Sequence, residues 1–118
     1  MIEKLAESEG NIIGYRMSGK LHHEDYERFV PEVEATMAAH GPIRFFAEFQ
    51  NFHGWDAQAL WDDIKFDVKH AVDMERIALV GEKEWEKWMA TICKPFTAAE
   101  IRYFDAHERD AAWAWIKE

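Results

Sequence analysis

Four of the six histidines in this 118-residue chain fall beside short loops. His22 and His23 precede a helical pattern, His53 lies in Gln50-Asn51-Phe52-His53-Gly54-Trp55, and His107 follows a last apolar run. Imidazole titrates near neutrality, and Asp56 and Lys83 stand in neighbouring segments, so such a group could move protons or hold a polar ligand. The spacing argues against metal: there is no H-x-x-x-H pair and one cysteine, Cys93. Ser8 and Ser18 fall in strand-like segments and Cys93 near a helix end, none after a nucleophile-elbow turn. A glycine-rich phosphate loop is also missing. No catalytic residue, metal or cofactor is therefore expected, and an enzyme is the least favoured reading.

The elements that would position these groups are organised around Ile43–Trp55, IRFFAEFQNFHGW. Ile43, Phe45, Ala47 and Phe49 point to one side of a strand and Arg44, Phe46 and Glu48 to the other. Apolar residues on both sides predict a central strand covered by helices on two faces. Glu48 then needs an ion-pair partner on a neighbouring strand or helix, because a bare buried carboxylate is costly. Gln50–Trp55 reads as a loop at the open rim of the sheet.

Around it, Met1–Glu7 and Ile13–Leu21 predict two strands joined in a hairpin at Gly10-Asn11. Tyr26, Phe29, Val30, Val33 and Met37 predict a helix through His40, interrupted by Pro31. Asp56 is a predicted N-cap for a helix to about His70 with the core stripe Ala57, Leu60, Trp61, Ile64 and Val68, which leaves Phe66 facing outward. The ladder Asp63, Asp67, His70 falls on a solvated face in this reading. Arg76–Gly81 and Glu100–Phe104 predict strands. Glu82–Lys94, with the stripe Trp85, Trp88, Met89 and Ile92, and Glu108–Lys117, with Ala111, Ala112, Trp115 and Ile116 inward and Trp113 off the stripe, predict helices. The order β-β-α-β-α-β-α-β-α predicts a single α/β domain over residues 1–118, its sheet mixed but mostly parallel, with about five strands and four helices.

Composition narrows the function classes. Hydrophobic residues at 48% supply core for one domain. A net charge of −9 repels nucleic acid and anionic membrane surfaces, so neither is an expected partner. Met1–Gly10 lacks a signal-peptide pattern and no apolar run is long enough for stable membrane insertion, so a cytoplasmic location is expected.

The joint pattern resembles the SpoIIAA-like family, relatives of the STAS domains. The matching residues are Asp25-Tyr26 with Pro31, Phe52-His53-Gly54-Trp55, Ala59-Leu60-Trp61-Asp62-Asp63-Ile64-Lys65-Phe66, Ile77 to Trp85 with Trp88, Ala99 to Phe104, and Ala112 with Trp115. The resemblance implies a STAS-like sheet with helices stacked beside it, in a family mostly of undefined biochemical role. The sporulation anti-anti-sigma proteins look to be switched by a phosphorylatable serine at the start of the helix after the central strand. Here Gln50–Asp56 holds no Ser or Thr, and Asp56 offers one charge where a phosphate brings roughly two.

The resulting expectation is a non-enzymatic STAS-like binding module. It would contact a protein partner, or a second copy as a dimer, through the central-strand loop and the following helix, without a serine switch. The alternative is a carrier of a small apolar or acyl ligand in a groove at the C-terminal strand ends. Candidate contact residues are His22, His23, Phe52, His53, Trp55, Asp56, Phe66, Lys83 and His107.

Overall fold

Residues 1–70, 72–82 and 99–118 are described by a computed structural model. They form five strands, β1 (Ile2–Lys4), β2 (Ile12–Leu21), β3 (Ile43–Trp55), β4 (Met74–Gly81) and β5 (Glu100–Asp105). The sheet order is β1-β2-β3-β4-β5, with β1 antiparallel to β2 and every other pair parallel. The expected central strand is central. The hairpin also forms as read, with Glu9 and Ile12 exchanging backbone hydrogen bonds across Gly10, whose φ is +59°.

Three α-helices are present among the described residues: α1 (His23–His40), α2 (Ala57–Lys69) and α3 (Arg109–Lys117). The expected count was four. The remaining predicted helix, with Trp85, Trp88, Met89 and Ile92, lies outside the described residues beyond Glu82, as does Lys83. Pro31 does not interrupt α1, which runs unbroken across it. Pro31 and Glu27, whose carbonyl loses its partner, both sit on the exposed side, where water can replace the lost hydrogen bond.

The period of two in β3 divides the core. Ile43, Phe45, Ala47 and Phe49 join Ile13, Tyr15 and Met17 of β2 and Tyr26, Phe29 and Val33 of α1 in one layer. Phe46 turns to the other layer, with Ala78, Val80, Phe104 and the α3 residues Ala112, Trp113, Trp115 and Ile116. Trp113 was expected off the inward stripe and Ala111 on it; the structure reverses them, burying Trp113 and exposing Ala111. The reason is the stripe Arg109, Ala112, Trp113, Ile116, an i, i+3, i+4, i+7 set that presents the largest ring to the sheet. Trp113 stacks on Phe46 with centroids 3.9 Å apart. Arg44 and Arg76 donate to the carbonyls of Ile116 (3.0 Å) and Trp115 (2.8 Å), closing the C-terminal end of α3 onto the strands.

Trp113 reaches this position because β2 has no side chain at Gly14. A Cβ there would lie 2.8 Å from the indole ring, which Phe46 holds from behind. Gly14→Ala is expected to destabilise the fold by about 1–3 kcal/mol through overpacking alone. An unchanged urea midpoint would contradict this packing.

Candidate functional site

The rim read as a loop is strand. β3 runs on to Trp55, and beyond Glu48, its last partner for β4, it pairs with β2 through Leu21↔Trp55. Asn51 at φ +51° and the register shifts beside Gly19 form a bulge that moves side-chain parity by one. Phe49 and Phe52 consequently point into the same layer. Phe52, expected at a contact surface, is fully buried, its ring 4.9 Å from that of Phe49.

The bulged end carries β3 directly into α2, and this sets the phase of that helix. The expected core stripe is turned outward. Leu60, Trp61 and Val68 are 46%, 56% and 58% exposed, and Val72 in the turn beyond is 77% exposed. The buried face is instead Ala59, Asp62, Phe66 and His70. Phe66, expected outward as a partner contact, lies 5.8 Å from the ring of Phe29 and 4.8 Å from that of His70. Polar partners make this phase tolerable. Asp62 accepts from Gln58 (3.2 Å) and pairs with His23 (2.6 Å). His70, expected on a solvated face, sets its two ring nitrogens 2.7 Å from Asp73 and 2.9 Å from Glu34.

Of the candidate contact residues, His22, His23, Trp55 and Asp56 come together where α1 and α2 begin. Asp56 caps α2 by accepting from the Ala59 N–H at 2.8 Å, and His22 reaches its other oxygen at 2.7 Å. These two contacts, the backbone one first, hold the Asp56 carboxyl below its usual range. Trp55 donates to the Tyr26 hydroxyl (2.8 Å), which donates to Asp63 (2.7 Å). His23 sits between Asp62 and Glu27, and the Asp62 hydrogen bond raises its pKa. Both of its nitrogens are occupied, so it anchors the two helices rather than offering a free base.

His53 and His107 do not join this group. Both are exposed. The ring of His107 has a nitrogen within 4.8 Å of carboxylate oxygens of Asp105 and Glu108, and Glu108 already accepts from the Asp105 N–H at 3.1 Å.

Two hollows flank these features. An apolar groove of about 400 Å³ runs between α1 and α2, floored by Tyr26, Val30, Pro31 and Phe66, with Lys65 and Lys69 and also His23, Glu27 and Asp62 in its lining. On the opposite side of the sheet, at the carboxyl ends of the strands, a charged cavity of about 230 Å³ surrounds Glu48. Glu48 has the ion-pair partners its position demanded: Arg16 of β2, at 2.7 Å, and Arg109 of α3. Arg109 also pairs with Glu7 at 2.8 Å. Burial works against its charge, but the Glu7 and Glu48 hydrogen bonds raise its pKa. Arg109 was missed as a site residue, although it begins the inward stripe of α3.

Five strands in the order β1-β2-β3-β4-β5, all parallel but the first, with the central strand buried on both faces, define a mixed-sheet α/β fold. The sequence pattern of the SpoIIAA-like family matches residues 12–117, and the chain belongs to that family. It is similar to the crystal structure of an uncharacterized protein of the DUF3478 family with a SpoIIAA-like fold from Shewanella loihica PV-4. The TM-score is 0.82 at 27% identity, covering 98% of this chain and 92% of that one. No curated protein matches the chain. No helix among the described residues is long and apolar enough to cross a membrane.

The raised pKa of His23 has a definite consequence for stability. Its contribution is fully present below about pH 6.5, the unfolded value, and is lost as pH rises through the higher folded value. The melting-temperature difference between wild type and His23→Gln is therefore expected to be larger at pH 6 than at pH 9. Equal differences at the two pH values would contradict the Asp62 pairing.

Proposed function

We propose that this SpoIIAA-like chain is a non-enzymatic binding module that docks a protein partner on the outward face of α2. The observation that carries the reading is the exposure of Leu60, Trp61 and Val68 on one stripe of α2. Exposed apolar residues scattered singly are ordinary, whereas a contiguous set on a folded helix marks a contact surface. Trp is the residue type most often found anchoring such surfaces. Lys65 and Lys69, both more than half exposed but paired with Asp62 (3.8 Å) and Glu34 (2.8 Å), follow the stripe along its α1 side. The partner that fits presents apolar residues to this stripe. Asp56 is a fixed helix cap and the segment before it holds no hydroxyl residue, which supports a docking surface without a serine switch.

A second reading, a carrier for a small apolar or acyl ligand, draws its support from the α1–α2 groove rather than from the strand ends. The groove has an apolar floor and an edge of mixed charge, Lys65 and Lys69 with Glu27 and Asp62, whereas the strand-end cavity is lined mainly by charge. Native mass spectrometry of freshly purified protein separates the two: a co-purifying acyl mass favours the carrier, and a clean apo mass under gentle conditions argues against it.

For the docking surface, Trp61→Asp combined with Val68→Asp is expected to weaken association tenfold or more without lowering stability, since both side chains face solvent. Sedimentation velocity reads self-association, and affinity capture compared between wild type and variant reads a different partner. A strict monomer whose captured proteins are unchanged by the double substitution would overturn the proposal.

A further inference from the structure

The cavity around Glu48 has no part in the docking surface, and its chemistry is of another kind. A carboxylate buried in a central strand is costly to keep, and an apolar side chain of similar volume would serve stability as well. What Glu48 achieves is positional. It takes one Nε–H from Arg16 and one from Arg109, so guanidinium groups from β2 and α3 meet at a single point. Arg109 is steadied further by the faces of Phe46 (5.8 Å) and Trp113 (5.7 Å) and by Glu7. Among the described residues Arg16 has no such ring or second ion-pair contact, although its charge, behind the Arg109 hydrogen bond, also helps to hold the Glu7 carboxyl below its usual range. Its hydrogen bond to Glu48 uses Nε, and among the described residues its two terminal nitrogens meet no acceptor. The planar outer edge of a guanidinium is the part that receives a carboxylate through two parallel hydrogen bonds.

We propose that this cavity is a binding site for a small free monocarboxylate, received by the terminal nitrogens of Arg16. Its place agrees with the rule that open α/β sheets bind ligands at the carboxyl ends of parallel strands. Charge sets the valence. Arg16 and Arg109 are balanced by Glu48 and by Glu7 behind Arg109, so the open fork of Arg16 has room for one carboxylate and the wall carries no surplus positive charge to hold a dianion such as phosphate. Size sets the body. About 230 Å³ is below the roughly 300–1,000 Å³ of drug-sized pockets, so the ligand has few heavy atoms. Val80 and Ala106 offer its short chain an apolar wall and Gln50 a polar one.

Propionate is the probe, titrated into isotope-labelled protein while amide shifts of Gln50, Val80 and Ala106 are followed at constant ionic strength. The expected result is saturable shifts confined to this cavity, with affinity lowered at least tenfold in Arg16→Gln and only partly restored in Arg16→Lys, which returns the charge without the fork. Because Arg16→Gln also removes a partner of Glu48, Ala106→Phe supplies a second variant that fills the cavity and leaves the ion cluster intact; it is expected to lose binding as well. Absence of saturable shifts, undiminished affinity in Ala106→Phe, or inorganic phosphate binding as tightly as propionate would each overturn the assignment.

Discussion

The structure depends on one strand being buried on both of its faces. In β3, Phe45, Ala47 and Phe49 must meet α1 and α2 while Phe46, between them, meets α3. A slip of one residue would exchange these sets and bring Glu48 into the aromatic layer of Tyr15 and Phe29. In the observed register, Glu48 instead meets Arg16 on one side and Arg109 on the other. The same register places Gly14 under Trp113, so strand pairing, ion pairing and ring stacking all specify one alignment.

From that strand outward the two layers are held differently. The α3 layer is closed by stacked rings and by arginines reaching its C-terminal carbonyls. The seam between α1 and α2 is polar along much of its length: His22 with Asp56, His23 with Asp62, Tyr26 with Asp63, and Glu34 with Lys69 and His70. Beneath these pairs the rings of Phe29 and Phe66 meet with centroids 5.8 Å apart, so polar contacts lie over an apolar base. The seam leaves the apolar groove open between the helices and turns Leu60 and Trp61 away from the core.

Much of the fold was legible because its signals are local. The alternation in Ile43–Phe49 located the central strand, Gly10-Asn11 the hairpin, and Asp56 a helix start; the need of Glu48 for a partner was likewise evident before the partners were known. The errors arise where a long-range contact overrides a local pattern. In α2 the strongest hydrophobic stripe, Leu60 with Trp61, Ile64 and Val68, was read as core. The polar residues Asp62 and His70 are in fact buried, because partners distant in sequence satisfy them. Trp113 was misplaced for a related reason, since only Gly14 on another strand makes room for it. Phe52 was read as rim because Gln50–Trp55 has the composition of a loop; β3 instead continues to Trp55, and the left-handed Asn51 turns Phe52 inward. Of the candidate site, His22, His23, Trp55 and Asp56 were recognisable by their place at helix starts. Arg16 and Arg109 could be recognised only by pairing each with Glu48.

The orientation of α2 is the point on which the functional account turns, and hydroxyl-radical footprinting of the isolated protein reads it directly. The account predicts that Trp61 is oxidised rapidly while Phe66, on the same helix, remains protected along with Phe52 and Trp113. Rapid oxidation of Phe66 with protection of Trp61 would contradict it.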